Sequence, residues 1–184
     1  MAYKVGIITL SDKGSRGERE DLSGPAIRQI LEEHGGQDSG GRPKYEIVSE
    51  VLLPDDQILL EGVLCGMADE EGVDLILTTG STGFSPRDIA PEAAYAVATR
   101  NAPGIAEYMR MKSFEITPKA MLSRGASVIR NSTLIINLPG SPKAVKENLS
   151  FILPALDHGL DILLGRDGEC GSHHGDHSHG GHHD

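Results

Sequence analysis

A chain of 184 residues, 38% hydrophobic and 24% charged, is long enough for one domain with a substantial core. Its formal net charge of −10 repels duplex nucleic acid at long range, so any phosphate ligand has to be held in a local pocket. No apolar run approaches the roughly 18 residues of a membrane helix, and a cytoplasmic protein with no membrane and no nucleic-acid partner is expected.

The opening MAYKVGIITLSDK lacks the charged n-region and cleavage site of a secretory leader. Within it, Tyr3 to Ser11 is short, apolar and β-branched, and reads as a buried first strand. DKGSRGEREDLSG is a polar, glycine-punctuated loop. Ser23 then reads as an N-cap, with Pro25 in the first turn, Ile27, Ile30 and Leu31 at helical spacing, and His34-Gly35-Gly36 as the stop. YEIVSEVLLP is a second strand ending at Pro54. Asp55 or Asp56 caps the following helix, in which Leu59, Val63 and Met67 recur every four positions up to Gly72.

VDLILTTG predicts a third buried strand, and Pro91 a helix over PEAAYAVATR. GIAEYMRMKSF and TPKAMLSR read as two further helical pieces. ASVIRNSTLIINLP predicts two strands joined at Arg130-Asn131-Ser132. Ser141 and Pro142 open a last helix, bent or divided at Pro154 and stopped by Gly165. Cys65 and Cys170 form no CxxC pair, which suits a reducing compartment. Strands alternating with helices predict an α/β domain with a largely parallel sheet flanked by helices.

In such sheets ligands sit beyond the carboxyl ends of the strands. Three ends carry chemistry here: Ser11-Asp12, Pro54-Asp55 and Thr79-Gly80. The stretch TTGSTGFSPRDIAPEA has the parts of a phosphate cradle. Gly80 and Gly83 let amides approach an anion, while Thr79, Ser81 and Thr82 add hydroxyls. No Lys-Ser or Lys-Thr follows, so it is not a P-loop, and it is not a dinucleotide GxGxxG. Asp88 is either a helix cap or, with Asp55, half of an acidic pair holding Mg²⁺ beside phosphates. Arg87 is either a surface residue or a phosphate partner. NLPGSPKAV repeats the strand, turn and helix-start design, and puts Gly140, Ser141 and Lys143 near a second anionic group.

Taken in order, ITLSD, LPDD, TTGSTGFSPRDIAPEA, AMLSRG and LIINLPGSPKAV resemble the molybdenum-cofactor biosynthesis family that contains molybdopterin adenylyltransferase, from about Val5 to Leu164. The resemblance implies a molybdopterin-binding, Rossmann-like three-layer fold, assigned to residues 1–167. It implies a nucleotidyltransferase that joins AMP from ATP to molybdopterin, releases pyrophosphate and uses Mg²⁺. Asp55 and Asp88 match the family's essential acids. The Gly80–Gly83 loop would hold phosphate, and Ser123 and Ser141 would contact ligand. A homotrimer and a downstream molybdate-inserting enzyme as partner are further implications. Two positions depart from the family pattern: Ser81 stands where a glycine is usual, and Ala90 where threonine is frequent. Ser81 is strained if its φ is positive; otherwise its hydroxyl only adds a donor. Alternatives within the same family are a non-catalytic molybdopterin-binding protein and a gephyrin-like scaffold, the latter disfavoured because no second domain or long linker is present. A GTP-binding, tubulin-like reading of GSTG fails on glycine content and domain length.

The end, GECGSHHGDHSHGGHHD, has no apolar period and is expected to be a flexible tail over 168–184. It carries six of the eight histidines: His173, His174, His177, His179, His182 and His183. With Cys170, Asp176 and Asp184 nearby, they are candidate ligands for Zn²⁺, Ni²⁺ or Cu²⁺. A purification tag or a passive solubilising end is the competing reading, although tags are usually unbroken histidine runs. His34 and His158 read as ordinary helix residues.

Overall fold

The structure, a computed structural model, describes residues 1–166. In chain order the elements are β1 (Tyr3–Leu10), a one-turn helix α1 (Asp12–Ser15), α2 (Ser23–His34), β2 (Tyr45–Leu53), α3 (Gln57–Cys65) and β3 (Leu75–Thr79). They continue with α4 (Ala90–Val97), β4 (Arg100–Asn101), α5 (Pro103–Phe114), β5 (Ser127–Arg130), β6 (Thr133–Leu138) and α6 (Pro142–Leu163). A π-helical turn, Gly66–Glu70, extends α3, and a 3-10 helix, Pro118–Leu122, follows α5.

One six-stranded sheet has the order β2-β1-β3-β6-β5-β4. β2, β1, β3 and β6 run parallel, while β5 is antiparallel to both β6 and β4. Alternate residues of each strand feed opposite layers. Val5, Ile7, Leu75, Leu77, Leu134 and Ile136 pack beneath α2, α5 and α6. Ile8, Ile76 and Ile135 pack against α3 and α4 on the other side. Both faces of the central strands are therefore covered, and for that reason β3 and β6 read as unbroken buried runs in the sequence.

The predicted α/β architecture is the observed one, with local differences. The polar stretch after Leu10 contains α1, capped by Ser11 Oγ, which accepts from Gly14 N at 3.0 Å. Helix α2 is capped by Asp21 rather than Ser23: Asp21 Oδ1 accepts from Ser23 N and Gly24 N at 2.9 and 3.1 Å. TPKAMLSR forms a 3-10 helix, not an α-helix. Helix α4 stops at Val97, and Ala98 and Thr99 lead into the short edge strand β4, which Arg100 opens. Helix α6 is continuous through Pro154, which lies on its exposed face. The β5–β6 hairpin turns at Asn131, whose φ of 53° is one that asparagine tolerates.

Among the described residues no helix is long and apolar enough to cross a membrane.

Candidate active site

From β1 the chain moves outward to β2, then crosses back past β1 to β3. The reversal opens a crevice at the carboxyl ends of β1 and β3, the place where an α/β sheet presents ligand sites. A cavity of about 390 Å³ lies there, and Ser11, Thr79, Gly80, Gly140 and Ser141 all line it. Five residues from three strand ends, nominated from sequence alone, thus share one space.

Gly80 lets the three ends approach. Its φ is +91°, and a Cβ there would stand 2.5 Å from the carbonyl oxygen of Leu10, at the end of β1. The Pro139-Gly140 turn is held by two hydroxyls: Thr79 Oγ1 donates to Pro139 O at 2.7 Å, and Ser23 Oγ donates to Gly140 O at 2.6 Å. With those carbonyls tied back, the amides of Gly140 and Ser141 carry no protein hydrogen bond among the described residues. They stand at the start of α6, whose N-terminal dipole favours an anion. Ser141 Oγ itself caps that helix through Ala144 N at 3.2 Å.

Beside the cavity, the loops after β1, β2 and β3 are latched together. Asp12 N donates to Asp55 Oδ2 and Asp55 N to Asp12 Oδ1, each at 3.0 Å. Arg87 donates Nε to Asp12 Oδ2 and Nη2 to Asp12 Oδ1, both at 2.9 Å. These hydrogen bonds from Arg87, followed by the one from the Asp55 amide, hold the Asp12 carboxyl below its usual range. Asp12 is therefore occupied as a latch and Arg87 as its partner. The cap of α3 is Asp56, which accepts from Leu59 N at 2.9 Å, and this leaves Asp55 to the latch.

The Gly80–Gly83 loop folds on itself. Asp88 does not cap α4. Its Oδ2 accepts from Gly83 N at 2.9 Å and Ser85 N at 3.1 Å. The cap function passes to Ser81, whose Oγ accepts from Ile89 N at 2.8 Å while its carbonyl accepts from Ala90 N at 3.0 Å. Ser81 has φ 58°, so both branches of the sequence expectation meet in one residue: the backbone is left-handed and the hydroxyl is used. That hydroxyl also serves the helix start at which Ala90 offers none. Thr82 is buried beside it and lines neither of the cavities described here.

Of the remaining candidates, Ser123 lines a separate cavity of about 200 Å³ together with Met109, Arg110, Lys119, Asn137 and Asn148. The two cavities share the β6–α6 connection as a wall: Asn137, Pro139 and Ala144 face one, while Gly140, Ser141 and Pro142 face the other. Lys143 is exposed, 3.8 Å from Glu147, and lines neither cavity. The histidines from His173 to His183 lie outside the described residues. Sequence reasoning missed Arg19 and Asp21 on the first cavity, and Arg110 and Lys119 on the second. The first pair had a signal, since their polar loop directly follows a buried strand. The second pair sits on helical segments whose side-chain directions no local pattern reveals.

Asp55 and Asp88, on the loops after β2 and β3, carry the hard oxygen donors that Mg²⁺ takes. Asp55 and Asp88 each use Oδ2 within the protein, and Oδ1 of each accepts no hydrogen bond from the described residues. A hard cation that takes one or two carboxylate oxygens, phosphates and water matches such a set. Among the described residues no three His, Cys, Asp or Glu side chains gather as a self-sufficient metal centre.

Residues 6–158 match the family model described as probable molybdopterin binding domain. A molybdopterin adenylyltransferase of Helicobacter pylori strain J99 is 44% identical over 161 residues, 88% of each chain. The enzyme of the same name from Escherichia coli K12 is 40% identical over 152 residues, covering 83% of this chain and 74% of that one. A crystal structure of the molybdopterin biosynthesis enzyme MoaB of Thermus thermophilus superposes with a TM-score of 0.80 at 45% identity, covering 89% of this chain and 97% of that one.

Proposed function

The chain belongs to the probable molybdopterin-binding domain family, and we propose that it performs the reaction for which its 44%-identical relative is named, the adenylylation of molybdopterin. In this reading ATP gives up AMP to the terminal phosphate of molybdopterin, and pyrophosphate leaves. The observation that carries it is the convergence of Ser11, Thr79, Gly80, Gly140 and Ser141 on one cavity at the sheet's switch point, with Asp55 and Asp88 on the loops beside it.

The protein's share of such a transfer is positioning and charge compensation. The free amides of Gly140 and Ser141, at the start of α6, hold phosphate oxygens in the larger cavity. Gly80 keeps that space open to the backbone of β1. Across the shared wall, the cavity lined by Met109, Arg110 and Ser123 offers apolar surface and a cation for the other substrate. Arg87, paired to Asp12 in the latch and 63% exposed, exchanges that carboxylate for a phosphate. Asp55 and Asp88 would hold Mg²⁺ through their unused oxygens; when bound, it would offset charge on the reacting phosphates.

The protein acts in the cytoplasm, supplies a molybdate-inserting enzyme, and assembles as a homotrimer. An apolar surface supports the assembly: Tyr108, Met111 and Phe114 on α5 continue into Ile116, Met121 and Leu122, all exposed in the single chain. The histidines from His173 to His183, outside the described residues, bind a transition metal.

Incubating the protein with ATP, Mg²⁺ and molybdopterin should release pyrophosphate and yield an adenylated pterin. Asp55→Ala and Asp88→Ala should each slow this by about 100-fold or more in protein that still folds, with Tm lowered by the loss of the Asp12 latch in one and of the loop hydrogen bonds in the other. Pterin bound without product would show a non-catalytic holder instead, and full turnover by both variants would remove the acidic pair from the mechanism.

A further inference from the structure

Arg124 follows the 3-10 helix and reaches across the loop after β3. Its backbone N–H donates to Thr82 O at 2.8 Å. Its Nε donates to Gly83 O at 2.7 Å, and Nη2 to Asp88 O at 2.9 Å. Nη1 is paired with Glu92 on α4. Since Asp88 Oδ2 accepts from Gly83 N and Ser85 N, Gly83 is held through both its amide and its carbonyl. Asp88 is likewise fixed at its carboxylate and at its backbone. A planar guanidinium with donors in fixed directions serves two carbonyls and a carboxylate at once; an ammonium on a flexible stem does not. Glu92 completes the grip, and its carboxyl is held below its usual range chiefly by the hydrogen bond from Arg124.

We infer that Arg124 is a positioning residue for the nucleotidyl transfer: by holding the carbonyls of Gly83 and Asp88 it fixes the unused Oδ1 of Asp88 in the direction from which it would hold Mg²⁺ beside the reacting phosphates. The inference rests on the role given to Asp88 above. A residue that merely stapled the loop would lower Tm and leave the remaining folded enzyme at full speed. A residue that aims a catalytic carboxylate lowers kcat while substrate affinity stays.

The test measures kcat, the KM for ATP and Tm for Arg124→Lys, Glu92→Gln, Asp88→Asn and the Asp88→Asn/Arg124→Lys double variant. Arg124→Lys should lose about 10- to 100-fold in kcat, the range seen when a supporting hydrogen-bond partner is removed, with KM changed by about twofold or less. Glu92→Gln should lose less, in the same direction. The double variant should be no more than about twofold slower than Asp88→Asn alone, because the two residues act as a unit. Normal kcat in Arg124→Lys, or losses that multiply in the double variant, would overturn the assignment. If Arg124→Lys fails to fold, normal kcat in Glu92→Gln overturns it. Absence of adenylated product from the wild-type protein would refute the transfer reading itself, a result distinct from an active wild type with an indifferent Arg124→Lys.

Discussion

The sheet carries a dense polar network at each end, and the two are built in opposite ways. At the amino ends of β1 and β2, Tyr3 and Tyr45 lie side by side, ring centroids 5.4 Å apart, both 5% exposed. Tyr3 Oη donates to Asp161 Oδ1 at 2.8 Å, and Asp157 takes both the Tyr45 hydroxyl and the Lys44 ammonium. Arg166 lies over the Tyr3 ring. Side-chain donors there meet side-chain acceptors, and the result ties α6 to the sheet. At the carboxyl ends, carboxylates accept chiefly from backbone amides, with the Arg87–Asp12 pair as the side-chain exception, and oxygens and amides remain unused beside a cavity. Burial and hydrogen bonding to aspartate push both tyrosine hydroxyls far above their ordinary range, yet that end does structural work. Unused hydrogen-bonding capacity at a cavity marks a site; a displaced titration by itself does not.

Gly80→Ala attacks the carboxyl-end network hardest. The new methyl would meet Leu10 O at 2.5 Å from a backbone with φ +91°, so a stability loss above about 2 kcal/mol and loss of turnover together are expected. Urea unfolding and pyrophosphate release would check both. A stable, active Gly80→Ala would mean the three strand ends need not approach so closely.

At the other end Tyr45→Phe removes one hydrogen bond to a carboxylate. A loss of about 1–2 kcal/mol with kcat unchanged is expected, and a fall in kcat would erase the distinction between the two ends. A pH series sharpens the same point. The folded state keeps both tyrosines protonated to higher pH than the unfolded chain, whose tyrosines ionise near 10. Their contribution is therefore complete below pH of about 10 and is lost above it. Tm should fall on alkalinisation, and Tyr3→Phe and Tyr45→Phe should flatten that fall. The smallest effect is expected for Ser81→Gly. Relief of a left-handed serine and loss of the hydroxyl at Ile89 N oppose each other, so stability should change by less than about 1 kcal/mol.

The strand ends were legible because their signals are short-range. A β-branched run, a glycine and a cap within a dozen residues place Ser11, Asp55, Gly80 and Ser141 at one edge of a parallel sheet, whatever the rest of the chain does. Cap identity was less legible, since Asp21, Ser23, Asp55 and Asp56 all have suitable side chains near a helix start. The structure gives the caps to Asp21 and Asp56, sends Ser23 Oγ to Gly140 O, and leaves Asp55 to the latch with Asp12.

By itself the sequence determined the alternation of strands and helices, the edge that bears the site and, through its ordered motifs, the family. Only the tertiary structure decided that Asp12 and Arg87 are partners, that Asp88 clasps its own loop, and that Arg124 grips the same loop from outside. The reason is physical. Periodicity and capping are settled among residues within a turn or two of each other, whereas the partner of a long polar side chain is chosen among segments that meet only after the sheet has brought them together.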